Sequence, residues 1–276
     1  MIQFYEFKKL WGQLIVKSEN QQRPLWRFST LILGHAIAFI LFFSWYNLKV
    51  RQYWDWIDLY FFEFFNQGLV GHDFLQALFA FFNHRSVDIF TAILMSFPIF
   101  HYLHSGKECD FSLRLSRTLS FFLYAFFALI FLKLCMKNIF SVRRLSPSLS
   151  VDFVVRLSSV FPWMTIKDAS KNSFPGDHTT VLMIWAGFIY ATCSWKYRIQ
   201  AFFLVIIASF PRLISGAHWL SDDLVGGGVL CMIILSWAFA SPICQHLSKG
   251  LHVFSVRLTR IYFRLRYLYW KKRQPS

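Results

Sequence analysis

Hydrophobic residues in this chain run in blocks of roughly twenty, the length a helix needs to cross a hydrocarbon layer of about 30 Å. Six blocks, at 28–47, 86–103, 118–136, 179–195, 199–217 and 223–243, have this character. The pattern predicts an all-α membrane protein, a six-transmembrane-helix bundle, with a single domain at 28–243 and a long loop at about 137–178. The stretch 54–83 is also apolar, but Asp55, Asp58, Glu63, Asn66, Gln67, His72 and Asp73 interrupt it. It reads as helices lying in the membrane interface. A polar, basic leader (1–27) precedes the first block, with no small-residue cleavage site after it, so that block reads as an uncleaved anchor. In the basic tail, 244–276, Arg257, Arg260 and Arg264 recur at helical spacing among Tyr, Phe, Leu and Trp. This is either a plain basic tail or an interfacial helix.

Composition supports a lipid environment: 56% of the 276 residues are hydrophobic and 34 are Phe, more than one soluble core of this length buries. The net charge of +15 suits an anionic membrane surface, and no nucleic-acid motif accompanies it. Eighteen of the 29 Lys and Arg fall in the leader, in the loops near 104–117 and 196–198, and in the tail. The positive-inside rule therefore assigns both termini to the cytoplasm. Seven others lie between 133 and 171, in or beside the long outer loop, against that trend. Such a concentration suggests an anion-binding task. The five cysteines show no CxxC spacing, so neither a disulfide framework nor a zinc site is indicated.

Three ionisable segments, 137–147, 173–178 and 212–222, meet at the outer face under this topology. Ionisable groups at membrane depth are functional candidates. His218 and Asp222 are four residues apart, so a continuous helix would put them on one face. The carboxylate then either orients the imidazole, leaving its second nitrogen free to attack an electrophile, or caps a helix beside an already satisfied His. His178 follows Pro175, Gly176 and Asp177 at the expected start of the fourth span, where free backbone N–H groups favour an anion. Gly176 would admit a ligand close to the backbone, while Asp177 reads first as the N-cap. Lys137, Arg143, Arg144 and Arg212 supply cations suited to gripping phosphate. The same cations would repel a metal ion from His178, His218 and Asp222, so no metal is expected. The charges gather at one membrane face and leave the spans nearly free, which argues against a transporter.

These residues resemble the three signature blocks of the type 2 phosphatidic acid phosphatase superfamily, K-x6-R-P, P-S-G-H and S-R-x5-H-x3-D. The third block is nearly complete in Arg212, His218 and Asp222, with Pro211 where the family has Ser. The second reads Pro175, Gly176, Asp177, His178 and lacks the Ser. The first matches at Lys137 and Arg144, with Leu145 replacing Pro, and Arg143 is a rival. RRLSPSL, KDASKNSFPGDH and FPRLISGAHWLSD are similar to the branch that makes lipid A 1-diphosphate. The resemblance implies a bacterial inner-membrane enzyme, its site facing the periplasm, that moves a phosphoryl group from undecaprenyl diphosphate to lipid A 1-phosphate. His218 would be the nucleophile forming a phosphohistidine, Asp222 its orienter and His178 the acid for the leaving phosphate. Arg144, Arg212 and Lys137 would bind phosphate. No cofactor is implied, and the partners would be undecaprenyl diphosphate, lipid A and membrane lipids. The residues leave open a hydrolase in which water replaces the lipid acceptor.

Overall fold

In the computed structural model, residues 26–105 and 108–271 are described. Lys107, the leader up to residue 25 and the last five residues of the tail lie outside the described residues. The elements are α1 Phe28–Tyr46, α2 Leu48–Gln67, α3 Asp73–Phe82, α4 Arg85–His104, α5 Glu108–Asn138, the single turn α6 Leu157–Val160, α7 Asp177–Thr192, α8 Trp195–Ile214, α9 Gly228–Ala240 and α10 Ile243–Lys271. A π-helical turn, Asp222–Gly227, leads into α9.

Five helical stretches among the described residues are long and apolar enough to cross a membrane: Phe28–Tyr46, Arg85–His104, Asp110–Asn138, Trp195–Ile214 and Asp222–Ala240. The sixth expected span, 179–195, is the shorter helix α7 of 16 residues, about 24 Å at 1.5 Å per residue. Polar Ser194 then opens α8. In α1 the buried residues are Gly34, Ala38, Phe42 and Trp45, one face of the helix, whereas Phe39 and Ile40 are exposed. A helix apolar all round but buried on one stripe suits a lipid-facing position.

The stretch expected at the interface is two helices, α2 and α3, and α2 begins directly after α1. Their buried amides are tied to the far side of the bundle. Asn66 donates to the carbonyls of Ile214 (2.9 Å) and Val155 (3.2 Å) and accepts from Val155 N–H (2.9 Å). Asn83 donates to the Pro211 carbonyl at 2.7 Å. These carbonyls lie at and beside the end of α8, where Pro211 lacks an N–H and the last turn has free acceptors. The two helices thus hold the turn that carries Arg212.

The tail differs from a free interfacial helix. α10 lies along the first half of α5, with Ser116 and Ser248 hydroxyls 3.0 Å apart and the rings of Phe111 and Tyr262 stacked at 5.4 Å. Arg257, Arg260 and Arg264 remain exposed on its outer side. α5 itself begins ten residues before the expected span, so most of the presumed loop at 104–117 is helix.

Candidate active site

α8 ends at Ile214, and the chain turns at Gly216, whose φ of +84° is a conformation that favours glycine. A Cβ at Gly216 would also lie 3.0 Å from the backbone of Ser148, whose N–H donates to the Gly216 carbonyl (3.2 Å). Helix resumes only after Trp219, so His218 and Asp222 do not share a continuous helical face. His218 Nδ1 lies 2.9 Å from the Ser173 carbonyl and 4.0 Å from Asp222 Oδ2. The direct hydrogen-bond partner of His218 is therefore a backbone carbonyl, with the Asp222 carboxylate, the expected orienter, at ion-pair distance. Asp222 Oδ2 instead accepts the Trp219 N–H (2.8 Å), the return half of a capping box. The carboxylate thus takes the capping role, while the imidazole is held at Nδ1 by the Ser173 carbonyl. Asp222 positions His218 through the backbone of its neighbour.

Arg144 is fully engaged by protein groups. Its Nη1 donates to Ser221 Oγ (2.8 Å) and Asp222 Oδ1 (3.1 Å), and its Nη2 to Asp55 Oδ1 (2.9 Å) and Asp58 Oδ2 (2.8 Å). The guanidinium also lies over the rings of Trp219 (4.8 Å) and Trp45 (5.8 Å). This differs from the free phosphate clamp expected of it. Asp58, wholly buried on α2, accepts both the N–H (2.7 Å) and the hydroxyl (2.6 Å) of Ser221. Burial pushes the Asp58 carboxyl above its ordinary pKa, and Arg144 and Ser221 oppose that shift.

A second set of charges converges on Asp88, near the start of α4. Its Oδ1 accepts from buried Arg212 Nη2 at 2.6 Å and its Oδ2 from Lys167 Nζ at 3.1 Å, while His178 Nδ1 lies 4.0 Å from Oδ1. His218 is close enough to His178 for their charges to interact. Arg212, His178 and His218 are thus brought together, with Lys167 added. A half-exposed carboxylate at the point where these cations meet occupies the place an anionic substrate group would take.

Gly176 and Asp177 depart from expectation. A Cβ at Gly176 would lie 1.9 Å from Asp223 Oδ1, so the glycine makes room for a buried carboxylate. The N-cap of α7 is Gly176, and Asp177 is its first residue, ion-paired with Lys133. Asp223 accepts from the Thr179 hydroxyl at 2.7 Å. Lys137 is exposed and lines a cleft of about 300 Å³ with Lys133, Asn172 and Asp177, while Arg143 is exposed and has no ion-pair partner among the described residues. Asp58, Asp88, Lys167, Ser221 and the Ser173 carbonyl escaped the sequence reading. Asp58 was visible only as a charge interrupting an apolar stretch, and Lys167 only as one of the out-of-place outer cations.

The sequence model of the PAP2 superfamily matches residues 118–243. Among curated proteins, the Lipid A 1-diphosphate synthase of Escherichia coli (strain K12) is 30% identical over 217 residues, 79% of this chain and 90% of that protein. No solved structure matches the chain. The matched family segment runs from α5 through α9 and contains His178, Arg212, His218 and Asp222, and with the likeness to that synthase along most of both chains, this protein belongs to the PAP2 superfamily.

Proposed function

We propose that the protein transfers a phosphoryl group from undecaprenyl diphosphate to lipid A 1-phosphate, giving lipid A 1-diphosphate and undecaprenyl phosphate. The observation that carries the reading is the fixing of His218: with Nδ1–H donated to the Ser173 carbonyl, the Nε2 lone pair is left free as a nucleophile beside Arg212, Lys167 and His178. In the first step Nε2 attacks the terminal phosphorus of the donor and the P–O bond to the lipid monophosphate breaks. His178 gives its proton to the departing oxygen, and Arg212 and Lys167 turn from Asp88 to the equatorial phosphate oxygens. In the second step a phosphate oxygen of the acceptor attacks the phosphohistidine, the P–N bond breaks, and the acceptor proton returns to His178.

Arg144 acts in this reading by holding the loop that carries His218. Lys137 and Arg143, exposed at the outer end, meet the lipid phosphates on approach. The relative's name supports lipid A as acceptor. We place the protein in the bacterial inner membrane with α7 as a sixth span, the site facing the periplasm and both termini in the cytoplasm.

The test uses purified protein with EDTA present, donor labelled in its terminal phosphate, and lipid A 1-phosphate. Label is expected in lipid A, and His218→Ala should lower its appearance by at least ~10³-fold. Activity that vanishes with EDTA would overturn the metal-independent chemistry. Label found only as free phosphate would mean that water is the acceptor and the protein a hydrolase.

A further inference from the structure

The opposite end of the bundle holds a cavity of about 700 Å³ that takes no part in this chemistry. It is walled by the last turns of α4, α7 and α9, the first half of α5 and the start of α10. The fourteen residue steps from His178 to Thr192 along α7 place it about 21 Å from the outer site. Phe121, Phe188 and Phe239 form an apolar wall, while Arg117, Gln245 and Lys249 are exposed at the rim.

Arg114 donates to the Tyr102 carbonyl at 2.8 Å and stands over the Tyr102 ring at 5.4 Å, so positive charge on this side is held in place. Lys249 and Gln245 have no ion-pair or hydrogen-bond partner among the described residues. No acidic side chain lines the cavity among the described residues. An apolar interior with an uncompensated cationic rim, at the end of the bundle where Lys and Arg gather, is complementary to an amphiphilic anion. The leader ends beside this place, where Arg27 N–H donates to the Ala240 carbonyl at 2.9 Å. Its four further cations, Lys8, Lys9, Lys17 and Arg23, outnumber Glu6 and Glu19, so like charge disfavours it as the occupant.

We propose that this cavity binds the headgroup of an anionic phospholipid from the cytoplasmic leaflet, its phosphate held by Arg117 and Lys249 and its acyl portion against the three phenylalanines. Such a ligand bridges α5 to α10 and braces the tail helix against the bundle. The site stands independently of the reaction assigned to the outer end.

Full-length protein in a zwitterionic detergent would be titrated with phosphatidylglycerol while tryptophan fluorescence reports the unfolding temperature. Phosphatidylglycerol at a hundredfold excess over its Kd should raise that temperature by about 5 °C. Phosphatidylcholine and inorganic phosphate at the same concentration should not. The shift should be lost in Arg117→Gln/Lys249→Gln, and also in Lys249→Glu, a single exposed change that spares the packing. Arg212→Gln, at the outer site, should keep it. The proposal is overturned if the rim variants retain the shift, if Arg212→Gln abolishes it, if phosphatidylcholine matches it, or if inorganic phosphate does.

Discussion

Arg144 and Asp58 show how a buried charge in this protein is made tolerable. The guanidinium has four protein acceptors and the Asp58 carboxylate has three donors, so neither is left uncompensated where desolvation is costly. Removing one partner exposes that cost. Asp58→Ala should lower stability by about 3 kcal/mol, because Ser221 N–H loses its acceptor in a wholly buried place. The same change should slow phosphoryl transfer by at least ~10-fold, since the Ser221–Asp222 turn carries His218. Asp55→Ala is the contrast: its side chain is 49% exposed and should cost under about 1 kcal/mol. Equal unfolding temperatures for the two variants would contradict this account.

At the scale of elements, the bundle is held by close approaches between apolar helices. α1 packs on α9, and a Cβ at Gly34 would sit 1.8 Å from Ser236 Oγ. Rotation of that hydroxyl can admit a methyl group but not a branched side chain. Gly34→Leu is therefore expected to destabilise the protein by about 1–3 kcal/mol, and adding Ser236→Gly should recover part of the loss. Thermal unfolding of the single and double variants measures both. α2 and α3 work through polar ties instead, with Asn66 and Asn83 fastening the end of α8. Each ends an apolar run in the sequence, and nothing local names its distant carbonyl partner. That is why the sequence marks these helices as interfacial without saying what they support.

For the whole molecule, the distribution of charge predicts which face each loop meets. In a chain whose native cysteines are replaced, a cysteine at Phe153, which is 87% exposed in the long outer loop, should react with a membrane-impermeant maleimide in intact cells. A cysteine at Gln245 should react only once the inner membrane is opened. The reverse result would invert the topology and, with it, the periplasmic assignment of the site. Both ends of the bundle present cations, but the outer set closes on Asp88 whereas the inner rim has no acid among its lining residues. In the roles proposed for them, the two ends take different anions, a transferring phosphoryl group at one and a resident headgroup at the other.

The sequence by itself determined the helical membrane class, most span positions and the grouping of Arg212, His178 and His218. Hydrophobic block length and the spacing of ionisable residues are local properties, and each is written within a short window of chain. Only the tertiary structure decided that Ser173, not Asp222, holds His218, that Arg144 is satisfied by Asp55, Asp58 and Asp222, and that Asp88 and Lys167 join the site. Those partners are 45 to 124 positions apart. Their pairing follows from how the helices pack, because a buried charge takes whichever counter-charge the fold brings within reach.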